Sequence, residues 1–155
     1  VLHFRGAQQV ESPYHDRHYE FDRVMEENGI KVFSYELEWN RFDAEYYEKT
    51  IEDVFSSGIR ADGVFGVDQI AIRYMNAAIR RGIKVPEDVK IVAYDGTFIT
   101  QFTEPRLTVV AQPIDRLAYE SARLISHLVD GKVYKNKQVL LDVSFFRGGT
   151  TGSCE

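Results

Sequence analysis

The chain has 155 residues, 44% apolar and 28% charged, the size and mix of one ordinary globular domain with room for a real core. Its net charge is −5 and no Lys/Arg cluster is longer than Arg80-Arg81, which argues against a nucleic-acid footprint. No apolar run nears the ~20 residues of a membrane span, and the single cysteine, Cys154, excludes a disulfide framework and reads as an inert thiol. No signal-peptide pattern opens the chain, so cytoplasmic is the default. The opening Val-Leu-His-Phe lacks an initiator Met and reads as the middle of a longer protein, hence a fragment.

Residues 1–4 read as a strand. The loop over 6–13 would leave its carboxyl end, the ligand side of a doubly wound sheet. A helix is expected from Pro13 or Asp16, with Tyr14, Phe21, Val24 and Met25 as its apolar face, stopping at Asn28-Gly29. Arg17 sits early in that helix, where a cation gains nothing from the helix dipole. It is either a solvated surface arginine or one facing a carboxylate or ligand. Residues 30–37 form the next strand, since Val32, Phe33 and Tyr35 favour extended structure. The loop after it carries Trp39 and Phe42, aromatics suited either to stacking on a ligand or to covering the core. Asp43 caps a helix running through Ser57-Gly58, with Tyr47, Ile51, Val54 and Phe55 at helical spacing.

The stretch 62–113 organises the rest. Gly63–Val67 has the shape of a buried strand, Asp68 stands where a helix wants an N-cap, and Arg80-Arg81 with Gly82 mark the stop. This helix bears two apolar stripes. Ile70, Tyr74, Ala77 and Ala78 form one; Ile72, Met75 and Ile79 form the other. One stripe serves a sheet, so the second is either sandwiched deeper in the same domain or meets another subunit. Residues 89–94 form a second strand ending at Asp95-Gly96. A polar residue at the end of a buried parallel strand points into the ligand crevice of open α/β sheets, which makes Asp95 the first candidate contact. The loop 97–104 carries Phe98, Ile99 and Phe102, apolar for exposed turns, packed either locally or against a neighbour. Residues 107–111 read as a strand. The helix opened by Pro113 carries Leu117, Ser121, Leu124, Ile125 and Leu128 and ends at Asp130-Gly131. The last strand is expected over 139–146, with Leu141, Val143 and Phe145 alternating.

Catalytic and metal patterns are missing from the sequence. The four histidines are scattered, and His15 and His18 lack an H-E-x-x-H frame. There is no P-loop, G-x-S-x-G elbow or dinucleotide fingerprint, so no metal, cofactor or enzymatic activity is expected. Gly148-Gly149 is discounted as a phosphate cradle because no helix follows it. Binding suits the residue types better: Asp95 can accept two hydroxyls and Arg17 can donate in a fork, which is how a sugar is held.

Asp68-Gln69 with Ala71, the run Gly82-Ile83-Lys84-Val85-Pro86-Glu87-Asp88-Val89, Ala93-Tyr94-Asp95, Pro105-Arg106-Leu107-Thr108 and Gln112-Pro113 occur in this order. Together they resemble the effector-binding core of the LacI/GalR family of bacterial transcription regulators. The resemblance implies an α/β, mostly parallel doubly wound sheet with helices on both faces, one half of a type I periplasmic-binding-protein-like fold. It implies a small-molecule effector of the sugar class, held by Arg17, Asp95 and Gln112 with Phe42 or Trp39 as aromatic wall. It further implies a homodimer interface through Ile72, Met75, Asn76, Ile79, Phe98 and Phe102. The family's DNA-binding helix-turn-helix would lie outside this chain, so operator DNA would be met only through that missing N-terminal part, with the effector acting allosterically. Residues 1–155 would be the C-terminal subdomain, and 107–131 a segment that crosses to the absent N-terminal subdomain. Without it, the last helix is expected to fold back or to associate with another copy. Three departures stand out: Glu20 replaces a usual glycine, Val67 a usual asparagine, and Gly148-Gly149 interrupt the closing signature. Asp95-Gly96-Thr97 is similar to some sucrose-operon repressors, which leans toward a fructose-containing ligand. Rival readings are a periplasmic sugar-binding protein, an enzyme using Asp95 as base, and a dimerisation module without ligand.

Overall fold

The computed structural model describes residues 1–6, 13–38, 41, 43–131 and 138–152, with the side chains of 13–15 left aside. The expectations for Trp39, Phe42, Cys154 and the side chains of Tyr14 and His15 therefore lie outside the described residues. The elements are β1 (Leu2–Gly6), α1 (Pro13–Glu27), β2 (Phe33–Leu37), α2 (Ala44–Ser56), β3 (Gly63–Val67), α3 (Asp68–Arg80), β4 (Lys90–Asp95), β5 (Thr108–Ala111), α4 (Ile114–Val129) and β6 (Ser144–Phe146), with a 3-10 turn at Phe98–Phe102. They build one six-stranded sheet in the order β2-β1-β3-β4-β5-β6. The first five strands are parallel and β6 is antiparallel to β5. The fold is α/β, mostly parallel, of the type the sequence implies.

Successive strand residues face opposite sides of the sheet, and the two sides are covered differently. Leu2, Phe4, Val64, Ile91 and Ala93 are buried on one face, under α2 and α3. There Tyr74 of α3 meets Phe4 edge-on at 6.1 Å, and Gly66 leaves room for Ile70, whose Cγ2 a Cβ would meet at 2.9 Å. Arg73–Glu48 at 3.1 Å and Arg81–Glu52 at 2.5 Å tie α3 to α2 across their exposed edge. On the other face α1 lies over β1 and β3, with Phe21 stacked on Phe65 at 4.5 Å. The face of α1 is His18, Phe21, Asp22 and Met25, spaced i, i+3, i+4, i+7. Val24 falls off that stripe and is exposed, contrary to its expected place.

Two boundaries differ from the sequence reading for local reasons. β2 starts at Phe33 because Ile30 N is spent on Met25 O in the helix stop. Asp43 caps α2 as expected, accepting from Tyr46 N at 2.8 Å. The last strand is only Ser144–Phe146, because its partner ends: Ser144 pairs with Ala111, and the next residue, Gln112, turns into α4 through Ile114 N to Gln112 O. Gly148 and Gly149 serve a close passage. Gly149 N donates to Arg106 O at 2.7 Å, and a Cβ on Gly148 would collide with the Arg106 carbonyl. Thr150, fully buried, then locks the chain end, accepting from Thr108 N at 2.9 Å and donating to Ile91 O at 2.7 Å.

α4 does not fold back, contrary to one of the two expectations. No residue of it is buried, and Ile114, Leu117, Ile125, Leu128 and Val129 are exposed, as are Phe145 and Phe146 of β6. Its apolar face has no matching surface among the described residues.

Candidate functional site

Strand order reverses direction beside β1, with β2 on one side and β3 on the other. In open α/β sheets such a switch point opens a crevice at the carboxyl ends of the strands. β4 ends there on Asp95, whose φ of +100 makes it the one non-glycine residue in the left-handed half of backbone space among the described residues. A side-chain-bearing residue held there costs about 1–3 kcal/mol, and such strain concentrates at ligand sites. Gly96 follows with φ +67 and packs against Ala111 so closely that no Cβ fits.

Three of the expected site residues meet at this point. Gln112 Nε2 donates to Asp95 Oδ1 at 2.6 Å, and the two residues are also joined by Gln112 N to Asp95 O at 3.0 Å. Arg17 Nη1 lies 3.7 Å from the same Asp95 oxygen, with side chains 20% and 29% exposed. Burial raises the Asp95 carboxyl above its ordinary value, while the Gln112 bond and the Arg17 charge pull it back. The result is a carboxylate partly withdrawn from water but already partnered, so an incoming hydroxyl meets an oriented acceptor. Gln112 orients Asp95 through its amide.

Tyr94 was missed in the sequence reading. The Arg17 guanidinium stacks on its ring, 3.5 Å from the centroid, a geometry a planar cation adopts well. The signal was present: Tyr94 alternates with Ala93 and Asp95, which turns it toward α1.

Asp68 is corrected. It is the first residue of α3, the N-cap position is Val67, and no side chain caps the helix. Its carboxylate accepts instead from Gly96 N, Thr97 N and Thr97 Oγ1 at 3.2, 2.6 and 2.7 Å. Three donors converging from one tight turn outcompete the helix's own N–H groups.

Beneath Arg17, α1 is pinned to β1 by a buried polar chain. His3 Nδ1 is 3.0 Å from Asp22 Oδ1 and His3 Nε2 is 2.7 Å from His18 Nδ1. With Asp22 accepting from Nδ1, a neutral His3 accepts at Nε2 from His18. Burial lowers both histidines, His18 to about 4, where the Arg17 and Arg5 charges and the cost of a second proton beside His3 add to it. Arg5 extends the chain to Asp22 and Glu36 at 3.4 and 2.8 Å. Since His18 adjoins Arg17, this network sets where Arg17 emerges.

The expected contact patch is split. Met75 is 1% exposed and sits in the hydrophobic core, so it is not on an outer stripe. Its position lies between Ala71 and Ala78 on the buried side of α3. Asn76 and Ile79 are exposed and Ile72 half-buried, while Phe98 and Phe102 are 71% and 82% exposed with their rings edge to face at 6.4 Å. Among the described residues no group of three His, Cys, Asp or Glu is placed to hold a metal ion, and no helix is long and apolar enough to cross a membrane.

A family profile described as "Periplasmic binding protein-like domain" matches residues 2–151. The chain belongs to that family. Within it, the similarity is to LacI-type regulators, as the sequence resemblance implied. This periplasmic-binding-protein-like domain is 30% identical over 133 residues to the ribose operon repressor of Halalkalibacterium halodurans, covering 85% of this chain and 39% of that protein. It is 33% identical over 84 residues to the repressor CytR of Escherichia coli, covering 54% and 25%. In structure it matches a periplasmic binding protein/LacI transcriptional regulator from Alkaliphilus metalliredigens complexed with D-xylulofuranose, with TM-score 0.83 and 26% identity over 98% of this chain and 56% of that one. It also matches the lac repressor dimer bound to operator and an anti-inducer, with TM-score 0.79 and 25% identity over 98% and 46%. The domain thus spans less than two-fifths of the length of the curated relatives it matches.

Proposed function

We propose that residues 1–155 are the C-terminal subdomain of the effector-sensing and dimerising part of a sugar-responsive LacI/GalR-type repressor. The observation that carries this is the meeting of Arg17, Asp95 and Gln112 at the switch-point end of the sheet, with Tyr94 as platform for the arginine. An acid, a forked cation and an amide on one crevice form a set that recognises adjacent hydroxyls. Relatives of this chain include a ribose operon repressor and a structure holding D-xylulofuranose, which supports a sugar as effector. A binding role accords with these groups, and turnover is not assigned.

The exposed faces suit the same reading. The apolar side of α4 and β6 would be covered by the other subdomain of the intact protein, with 107–131 as the crossing segment. Burying each large side chain there would contribute about 1.5–3 kcal/mol. Ile72, Asn76, Ile79, Phe98 and Phe102 would meet a second copy. The sugar would bind between the subdomains and change their relative pose across the dimer, altering operator affinity. DNA would be read by a helix-turn-helix outside these residues, in the cytoplasm.

The test is calorimetric titration of the intact regulator with D-xylulose, D-ribose, lactose, cellobiose and sucrose. At least one binds, and Asp95→Asn or Arg17→Ala weakens it by about 10–100-fold, the worth of a hydrogen bond to a charged group. Undiminished binding by Asp95→Asn removes the proposal.

A further inference from the structure

Asp68 is 2% exposed, and all three of its bonds leave its own helix for the turn at Gly96 and Thr97. That turn is one the chain does not hold by itself. Asp95 and Gly96 both stand in left-handed backbone space, and Gly96 has no spare room against Ala111. On one side of the grip lies Asp95, facing Arg17 and Gln112. On the other, the Thr97 carbonyl accepts from Thr100 N at 3.1 Å and Thr100 Oγ1 at 2.8 Å. Those bonds open the 3-10 turn that presents Phe98 and Phe102 to solvent.

We propose that Asp68 is a positioning residue. It fixes the pose of Asp95 for the sugar and makes the Phe98/Phe102 patch follow that pose, so one buried carboxylate couples the effector site to the dimerising surface. The proposal rests on the sugar-sensor reading given above. A ligand that pulls on Asp95 rotates a turn of only two residues before reaching Thr97. With Asp68 holding both amides, the displacement passes on to residues 98–102; with that hold cut, the turn absorbs it. This follows from the general requirement that coupled sites share a physically connected element.

The test uses the intact regulator with D-xylulose, D-ribose and sucrose as probes, comparing wild type with Asp68→Asn and Thr97→Val. Thr97→Val removes one donor only and keeps the test open if Asp68→Asn fails to fold. Each variant binds the probe sugar about tenfold more weakly, the double variant is no weaker than the worse single one, and Thr97→Ser is restored to wild type. At saturating sugar, amide exchange over 98–102 slows in wild type, is unmoved in Asp68→Asn, and slows less than in wild type in Thr97→Val, which keeps both amide bonds to Asp68 and loses only the hydroxyl one, a readout that loss of packing alone does not give. Variants that bind like wild type, or that transmit as much sugar protection to 98–102 as wild type does, overturn the proposal. A wild type that binds none of the three probes is a different result: it removes the sensor reading, and this proposal with it.

Discussion

Replacing Gly96 with alanine adds one methyl group and tests whether the left-handed turn behind Asp95 is set by backbone preference or by packing. The backbone contribution is that of any L-residue at positive φ, here +67, about 1 kcal/mol. The packing contribution is separate. The new Cβ falls onto Ala111 Cβ and Cα, in β5, which is paired to β4 through Asp95↔Ala111 and does not yield freely. Overpacking of this kind adds about 1–3 kcal/mol. The sum, about 2–4 kcal/mol, lowers the melting temperature of a chain this size by roughly 5–15 °C. Gly82→Ala is the internal control. Gly82 has φ +76 and nothing within 4 Å of a built Cβ, so it carries the backbone contribution alone and loses only about 3 °C. Thermal melts followed by far-ultraviolet circular dichroism on both variants suffice. Equal losses in the two proteins would refute the packing half of the reasoning, and no loss in either would refute both halves.

Three further outcomes follow from other parts of the structure. Thr150→Val removes the hydroxyl that serves Ile91 O and Thr108 N; two buried backbone groups left unpaired destabilise by about 2–5 kcal/mol, while Thr150→Ser retains most of it, both read by urea unfolding. His18 is held to about 4 against an ordinary 6.5, so the unfolded chain takes up its proton first as pH falls. Stability present above pH 6.5 is therefore lost progressively toward pH 4, and His18→Gln flattens that dependence; unfolding midpoints that are level from pH 7 to 5 in wild type would contradict this. Phe98→Ser with Phe102→Ser shifts the intact regulator toward monomer in sedimentation velocity, and an unaltered dimer would locate the interface elsewhere.

Much of this protein is decided by short-range chemistry and so is legible in sequence. Asn28-Gly29 and Gly82 stop helices through a left-handed residue, Asp43 caps α2, and the apolar runs at Gly63–Val67 and before Asp95 are strands wherever the chain places them. The end of a buried strand pointed to Asp95 and a cation at the wrong end of a helix raised Arg17, while the order and spacing of the family fragments carried the fold class and, by resemblance, Gln112. Tertiary structure decided what each of those groups is spent on. Asp68 looked like a cap because its helix offers free N–H groups, but a better set of donors arrives from 28 residues downstream in the chain. Met75 and Ile79 share one helical stripe in sequence, yet Met75 lies beside Ala71, Tyr74 and Ala78 on the buried side of α3 while Ile79 is exposed. The strand expected over 139–146 shortens to Ser144–Phe146 because a strand needs a neighbour, and β5 stops at Ala111. Local preferences depend on a residue and its near neighbours alone; partners are allotted only when distant segments compete for the same donors and the same surface.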